Sequence, residues 1–219
     1  NAHSLGRYSL KKMKKMKSVL EKSYEIDLND SSEIMKFYEE NKLYFDHYEK
    51  ITDIEVIEDT ILIKQKYCEA IERKNHFKDA AFVLEHIFIL LDKLKGNSEE
   101  YEYYYERALF YNGVILGRQK KYKESNARFK RLIVIDPKNE NYQDWLDTNI
   151  ERIINKKLDI FYYIIPAIWG FILVTKDKYV GKFYLTIETF LFVIMIGIYV
   201  YQRYIQNIIR EKRRKKTNC

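Results

Sequence analysis

Between residues 32 and 157, apolar side chains recur at intervals of three and four, the spacing of one helix face. A first helix is predicted over 32–50, after the cap cluster Asn29, Asp30, Ser31 and Ser32. Its stripe is Ile34, Phe37, Tyr38, Phe45, Tyr48 and Ile51, interrupted by Asn41. A second is predicted over 53–73, opened by the capping-box pair Thr52 and Glu55. A third covers 77–94 and stops at Gly96-Asn97. A fourth runs from Ser98, with Glu99 and Glu100 in its first turn, to about Gln119. A fifth covers 122–135 and ends at Asp136-Pro137; a sixth starts near Asn141 and runs on into an apolar segment. Short connections between such helices imply an antiparallel bundle or a solenoid. With only 7 Gly and 2 Pro in 219 residues, turns are scarce, and the expected class is all-α.

After residue 157 the pattern changes. Residues 161–174 are 14 uncharged residues in a row, and Leu158–Val174 contains one charge, Asp159. Residues 183–201 are 19 residues with one charge, Glu188, and no continuous polar face. Tyr162, Tyr163, Trp169, Tyr184, Tyr199 and Tyr201 lie in these segments and at their ends, as in interfacial belts. Both lengths approach those of bilayer spans, so a transmembrane hairpin is expected, with spans over about 158–174 and 183–203 joined by 175–182. Pro166 does not exclude the first span. Buried core helices are the competing reading.

The net charge of +7 is uneven. Residues 1–23 hold seven Lys/Arg and one Glu, as do residues 203–219, whereas 24–175 hold 22 Lys/Arg and 28 Asp/Glu. Basic ends beside apolar segments fit an anionic membrane surface; the mildly acidic body does not fit a nucleic-acid binder. Arg152, Lys156 and Lys157 precede the first span, and Arg203, Arg210, Lys212, Arg213, Arg214, Lys215 and Lys216 follow the second. The connecting loop has only Lys176, Lys178 and Lys182, so the positive-inside rule places the helical body and both termini on the cytoplasmic face. Glu188 is the intramembrane charge and a functional candidate, although it lies only six residues into its span.

Residues 109–139, LFYNGVILGRQKKYKESNARFKRLIVIDPKN, resemble a tetratricopeptide repeat (TPR). Gly113 sits mid-way along the first helix, with Leu116 three residues later. Tyr122 opens the second helix, Ser125 lies where the two helices touch, Phe129 and Leu132 follow on its packing face, and Pro137 ends it. Leu109, Ser125 and Asn112 stand where the family has Trp, Ala and Leu. A weaker copy lies upstream, with Phe77, Ala80, Leu84 and Ile87 in the places of Tyr122, Ser125, Phe129 and Leu132. The 45 residues from Phe77 to Tyr122 exceed the family's 34, so the intervening helices are longer. The resemblance implies a concave groove lined by the first helix of each pair. Its positions here are Phe110, Val114 and Arg118, with Gln65 and Glu69 in the weaker copy. It implies a protein or peptide partner.

No Gly-rich phosphate loop, HExxH, GxSxG or CxxC is present, and the two Cys, Cys68 and Cys219, form no metal cluster. Glu58 and Asp59 are adjacent and fall on different helix faces, so they are not an acid/base pair. His76 and His86 lack ligand spacing. The run YEYYYE at 101–106 feeds both a packed and an exposed face. No enzyme activity, cofactor or metal is expected.

The expected organisation is a basic segment over 1–23, a TPR-like helical domain over 24–157, the hairpin over 158–204 and a basic tail over 205–219. The expected function is a membrane-anchored TPR-like adaptor that binds a protein or peptide partner and membrane lipids, with no nucleic acid. In layout this is similar to tail-anchored TPR adaptors, which have one span. The alternatives are a soluble helical regulator or nucleic-acid-binding protein with its last two helices buried, and a non-catalytic subunit of a membrane complex. Homo-oligomerisation stays open.

Overall fold

The computed structural model of the chain describes residues 17–46, 51–175 and 182–217. Within them, the side chains of 159–162, 171–175, 182–185, 188, 206, 209, 210 and 212–217 are not described. Most of the basic run at 11–17, the end of the first predicted helix and most of the 175–182 loop lie outside the described residues. So do the side chains of Glu188, Arg210 and Lys212 to Lys216. Among the described residues the regular structure is helix, without strands, as the all-α expectation has it. The chain divides into two compact units, Asn1–Pro137 and Lys138–Cys219.

In the first unit, residues 17–23 form helix α1, which buries Val19 and Leu20. Helix α2 (Ser31–Glu40) is capped by Asp30, whose carboxylate accepts the Ser32 and Glu33 amides at 2.6 and 3.2 Å. The single helix expected over 32–50 is broken at Asn41. Its side-chain amide donates to the Phe37 carbonyl four residues back at 2.9 Å. Its backbone leaves the helical region, at φ −111° and ψ 12°. Asn competes with the helix ladder in this way, and the chain restarts as the short helix α3 (Lys42–Phe45). The break carries Phe45 into the core, where its ring stacks on Tyr38 at 4.9 Å.

Helix α4 (Ile54–Arg73) packs against α2, α5 (Phe77–Leu94) and α6 (Tyr101–Arg118). Its cap is Asp53, which accepts the Val56 amide at 3.4 Å, rather than the expected Thr52. Helix α5 ends through Gly96, at φ +77°, a conformation that an L side chain rarely adopts. Helix α6 starts three residues later than expected, because the Ser98 hydroxyl accepts the Glu100 amide at 3.1 Å in the turn before it. Helix α7 (Tyr122–Ile135) has its predicted bounds and packs on α6.

The α4–α5 and α6–α7 turns share one geometry in a 45-residue register. Asn75 and Lys120 both take left-handed backbone, at φ 65° and 63°. His76 and Lys121, which follow them, have φ/ψ of −83°/57° and −85°/56°. The His76 amide donates to the Ile71 carbonyl at 3.0 Å, and the Lys121 amide to the Leu116 carbonyl at 2.9 Å. Such five-residue returns to the last helical turn satisfy carbonyls that the helix end leaves open.

The core of this unit contains a charged residue. Lys64 is fully buried, and its Nζ donates to the Tyr38 hydroxyl at 3.0 Å. Tyr38 stacks on Tyr67 at 3.8 Å between ring centres, and the Tyr67 hydroxyl donates to Glu39. Burial pushes the Lys64 ammonium down to about 8, against the opposing pull of Asp46. Burial also pushes the Tyr38 and Tyr67 hydroxyls well above the ordinary Tyr value.

In the second unit, α8 (Glu140–Thr175) runs unbroken through Pro166, and α9 (Lys182–Thr217) packs along it. Among the described residues, no helix is long and apolar enough to cross a membrane. The spans expected over 158–174 and 183–203 fall partly on residues whose side chains are not described.

The drop of the Lys64 value from 10.5 to about 8 corresponds to roughly 3 kcal/mol against the charged folded state. The folded value lies below the unfolded one, so between the two the unfolded chain binds more protons, and stability rises with pH. Lys64→Met is therefore expected to be more stable than the wild type at neutral pH. That advantage should shrink between about pH 8 and about pH 10.5 in urea unfolding, as first the folded and then the unfolded lysine loses its proton. A gap that stays constant with pH would show that Lys64 is not a buried charge.

Candidate protein-binding face and apolar hairpin

The α6–α7 pair closes at one point of very near approach. The Ser125 hydroxyl donates to the Gly113 carbonyl at 2.6 Å, and both residues are buried. A Cβ on Gly113 would lie 2.9 Å from the Phe129 ring, which is itself fully buried. Gly113 is thus required by contact across the helix pair. Leu132, Ala80, Leu84 and Ile87 are buried, Phe77, Leu116 and Tyr122 are half-buried, and Pro137 is exposed just past α7. In the α4–α5 pair the same register gives Cys68 and Ala80. The Cys68 thiol donates to the Ala80 carbonyl at 3.6 Å. Burial pushes that thiol above its ordinary value, which makes it a packing group rather than a nucleophile.

The five expected groove residues separate in the structure. Gln65 is fully buried between α4 and α6, where its Nε2 donates to the Tyr104 carbonyl at 2.9 Å and its Oε1 has no hydrogen-bond partner. Val114 is buried as well. Phe110 is half-buried with its ring edge-on to Phe129 at 6.1 Å. Arg118 and Glu69 remain within reach of solvent. Arg118 Nε donates to Glu72 at 3.3 Å, and Arg73 pairs with Glu69 at 2.5 Å.

Around Glu69 and Arg118 the side-by-side α4 and α6 build an ionic and aromatic face. Arg107 reaches Glu69 at 3.8 Å and donates to the Tyr103 hydroxyl at 2.8 Å, with its guanidinium 5.8 Å from the ring centre. Burial, followed by its bond to Glu69, pushes the Tyr111 hydroxyl up to about 12. Of the YEYYYE run, Tyr101, Tyr104 and Tyr105 pack on the core, and Tyr103 is half exposed. Arg73, Glu72 and Arg107 were not singled out in the sequence, and Tyr103 only as part of the run at 101–106. The signal for Arg73 is its register, 45 residues before Arg118 at the same last helical turn. Exposed ion pairs of this kind contribute roughly 0.2–1 kcal/mol each, so a partner can replace them at little cost. Glu58 and Asp59 serve separate neighbours, Ser98 and Tyr24, and form no shared site.

In the second unit, α8 and α9 expose a broad apolar surface that includes Tyr163, Trp169, Phe190, Phe192 and Val193. A cleft of about 290 Å³ between them is lined by Ile165, Trp169, Thr189, Leu191, Phe192 and Met195. Lys156, Lys157 and Arg203 are exposed near the polar ends of the two helices, and Arg203 Nε donates to the Tyr199 hydroxyl at 3.3 Å. Comparison with known proteins finds no matching family model, no similar curated protein and no similar solved structure. The likeness to TPR repeats therefore rests on the residues of 109–139 and their weaker copy.

Gly113→Ala is expected to destabilise the chain, because roughly 1–3 kcal/mol of overpacking against Phe129 outweighs about 1 kcal/mol of gained helix propensity. With Phe129→Leu in the background the sign should reverse, since the ring that the methyl meets is gone. Urea unfolding of the four chains measures this, and a Gly113→Ala change that stabilises in both backgrounds would refute the contact.

Proposed function

We infer that this chain is a helical-repeat adaptor of TPR-like design, anchored at a membrane by its α8–α9 hairpin, which binds a protein or peptide partner and catalyses no reaction. The observation that carries the reading is the repeated hairpin geometry of α4–α5 and α6–α7. It sets two first helices side by side and leaves Arg73, Tyr103 and Arg118 exposed, with Glu69 and Arg107 partly exposed beside them. These residues offer guanidinium groups, carboxylates and an exposed tyrosine, the groups that recur in protein recognition surfaces.

The membrane part of the reading rests on the sequence and on exposed apolar surface. Residues 183–201 hold a single charge, and lysines and arginines concentrate beyond both apolar segments. Large aromatic and aliphatic side chains on α8 and α9 stand exposed, which water disfavours and hydrocarbon does not. In this reading the helical body and both termini face the cytoplasm.

Two measurements test the two parts separately. Fractionation of the full-length chain should leave it in the membrane pellet after a carbonate wash and release it only with detergent. Release by carbonate would remove the anchor. Affinity capture on the detergent-solubilised chain should recover a partner that the double variant Arg73→Glu/Arg118→Glu loses while retaining its helical content. Retention of every partner by that variant would reject the α4–α6 face.

A further inference from the structure

The hairpin of α8 and α9 has a level boundary between its polar and apolar parts. Gln202 Nε2 donates to Asn155 Oδ1 at 3.3 Å, which places these two residues at one height on antiparallel helices. From that height α8 runs from Asn155 to its end at Thr175, and α9 runs back from Gln202 to its start at Lys182. Between that height and the far end lie the apolar segments 158–174 and 183–201, of 17 and 19 residues, or roughly 26 and 28 Å of helix, close to the thickness of a hydrocarbon core. The cleft across the two helices keeps the same register, with Ile165 of α8 and Phe192 of α9 in its wall. On the apolar side of the boundary, exposed Tyr163, Trp169, Phe190 and Val193 cover the surface. On or next to the boundary, three exposed cations stand on the two helices: Lys156 and Lys157 on α8, and Arg203 on α9. Beyond it, α9 continues as one helix through the run Arg210 to Lys216, which holds six Lys/Arg and one Glu.

The geometry points to a cationic collar at the base of the hairpin that binds the headgroups of anionic phospholipids, so that this protein is seated selectively in negatively charged bilayers. The inference rests on the anchoring reading above and adds its lipid specificity. The argument is charge complementarity at a fixed height. If these apolar segments lie in hydrocarbon, Lys156, Lys157 and Arg203 fall at the phosphate level, and the unbroken α9 carries the run from Arg210 onward about 10 Å or more beyond them. Each cation near an anionic surface is attracted to it, and the attraction fades within a Debye length, so cations level with the boundary count most. A second copy of the hairpin is a poorer occupant of the same apolar surface, because side-by-side copies would bring two collars of like charge together.

The test uses the full chain, transferred from detergent to vesicles of phosphatidylcholine alone or of phosphatidylcholine mixed with phosphatidylglycerol, and scored by flotation. Roughly tenfold more protein should float with the anionic vesicles at low salt, and the excess should fall as salt is raised. The variant Lys156→Gln/Lys157→Gln/Arg203→Gln should float equally with both lipids up to the share owed to the 210–216 run, with its helical content unchanged. Equal flotation of the wild type with both vesicles overturns the collar and leaves the anchor standing. Failure to float with either removes the anchor and the collar together. A stable dimer in detergent that persists in both lipids and protects the hairpin from lipid-phase labelling also overturns the proposal, by making a second copy the occupant.

Discussion

Two antiparallel helices joined by a short turn come into backbone contact only where a side chain is missing or very small. In the α6–α7 pair that place is Gly113, with the Ser125 hydroxyl on its carbonyl and the Phe129 ring over its Cα. The rest of the unit follows from that approach. Phe129 fills the space that a β-carbon would take, Phe110 sets its ring against Phe129, and α6 is held at the height where Gln65 can reach the Tyr104 carbonyl from α4. The α4–α5 pair solves the same problem with Cys68 and Ala80, a small thiol and a methyl, at positions 45 residues earlier. The matched turns, with left-handed Asn75 and Lys120, bring each second helix back at the same angle. Close packing of this kind leaves little tolerance for one added methyl.

The helical body nevertheless carries a polar group at its centre. Lys64 is bonded to Tyr38, whose ring stacks on Tyr67 and Phe45, and its charge is disfavoured there. Removing a charge from water costs several kcal/mol before any partner restores part of it. The hydroxyl of Tyr38 and the field of Asp46 supply part of that restoration, from α2 and from the end of α3 respectively. The lysine thus ties α4 to α2 by a hydrogen bond, with the charge at the end of α3 acting on it. The break at Asn41 is what makes this possible: without it, Phe45 and Asp46 would continue along the α2 axis, away from the Lys64 side chain.

The two units differ in how they treat apolar surface. The first gathers it into one core and exposes ion pairs and single aromatics. The second keeps its apolar residues on the outside of a two-helix hairpin, which has too little interior to bury them. A pair of helices cannot enclose side chains on every face, so a hairpin that is apolar all round must find its burial against something other than itself. The cations that begin where the apolar surface stops give that surface an orientation as well as an extent.

Much of this architecture is legible from the order of residues alone. Helix periodicity located α5, α7 and the start of α8 almost to the residue, because apolar spacing and the stops at Gly96 and Pro137 are local properties. The small residues Gly113, Ser125 and Ala80 announced the helix contacts, because close approach constrains residue size whatever the surroundings. The position of the apolar segments and the uneven charge were equally visible, being sums over sequence. Asn41 broke a helix that periodicity carried through, by a local bond to the Phe37 carbonyl that apolar spacing does not register. Other features required three dimensions. Gln65 and Val114, which the resemblance to tetratricopeptide repeats placed on an outer groove, lie inside, Gln65 where α4 and α6 run side by side. Arg107 reached Glu69, and Arg118 reached Glu72, only after that packing was made. The sequence by itself determined which helices form and which of their faces are apolar, since both depend on neighbours within four residues. The tertiary structure decided which polar side chains meet and which are buried, since those depend on residues far apart in the chain, from Lys64 and Tyr38 at 26 positions to Glu72 and Arg118 at 46.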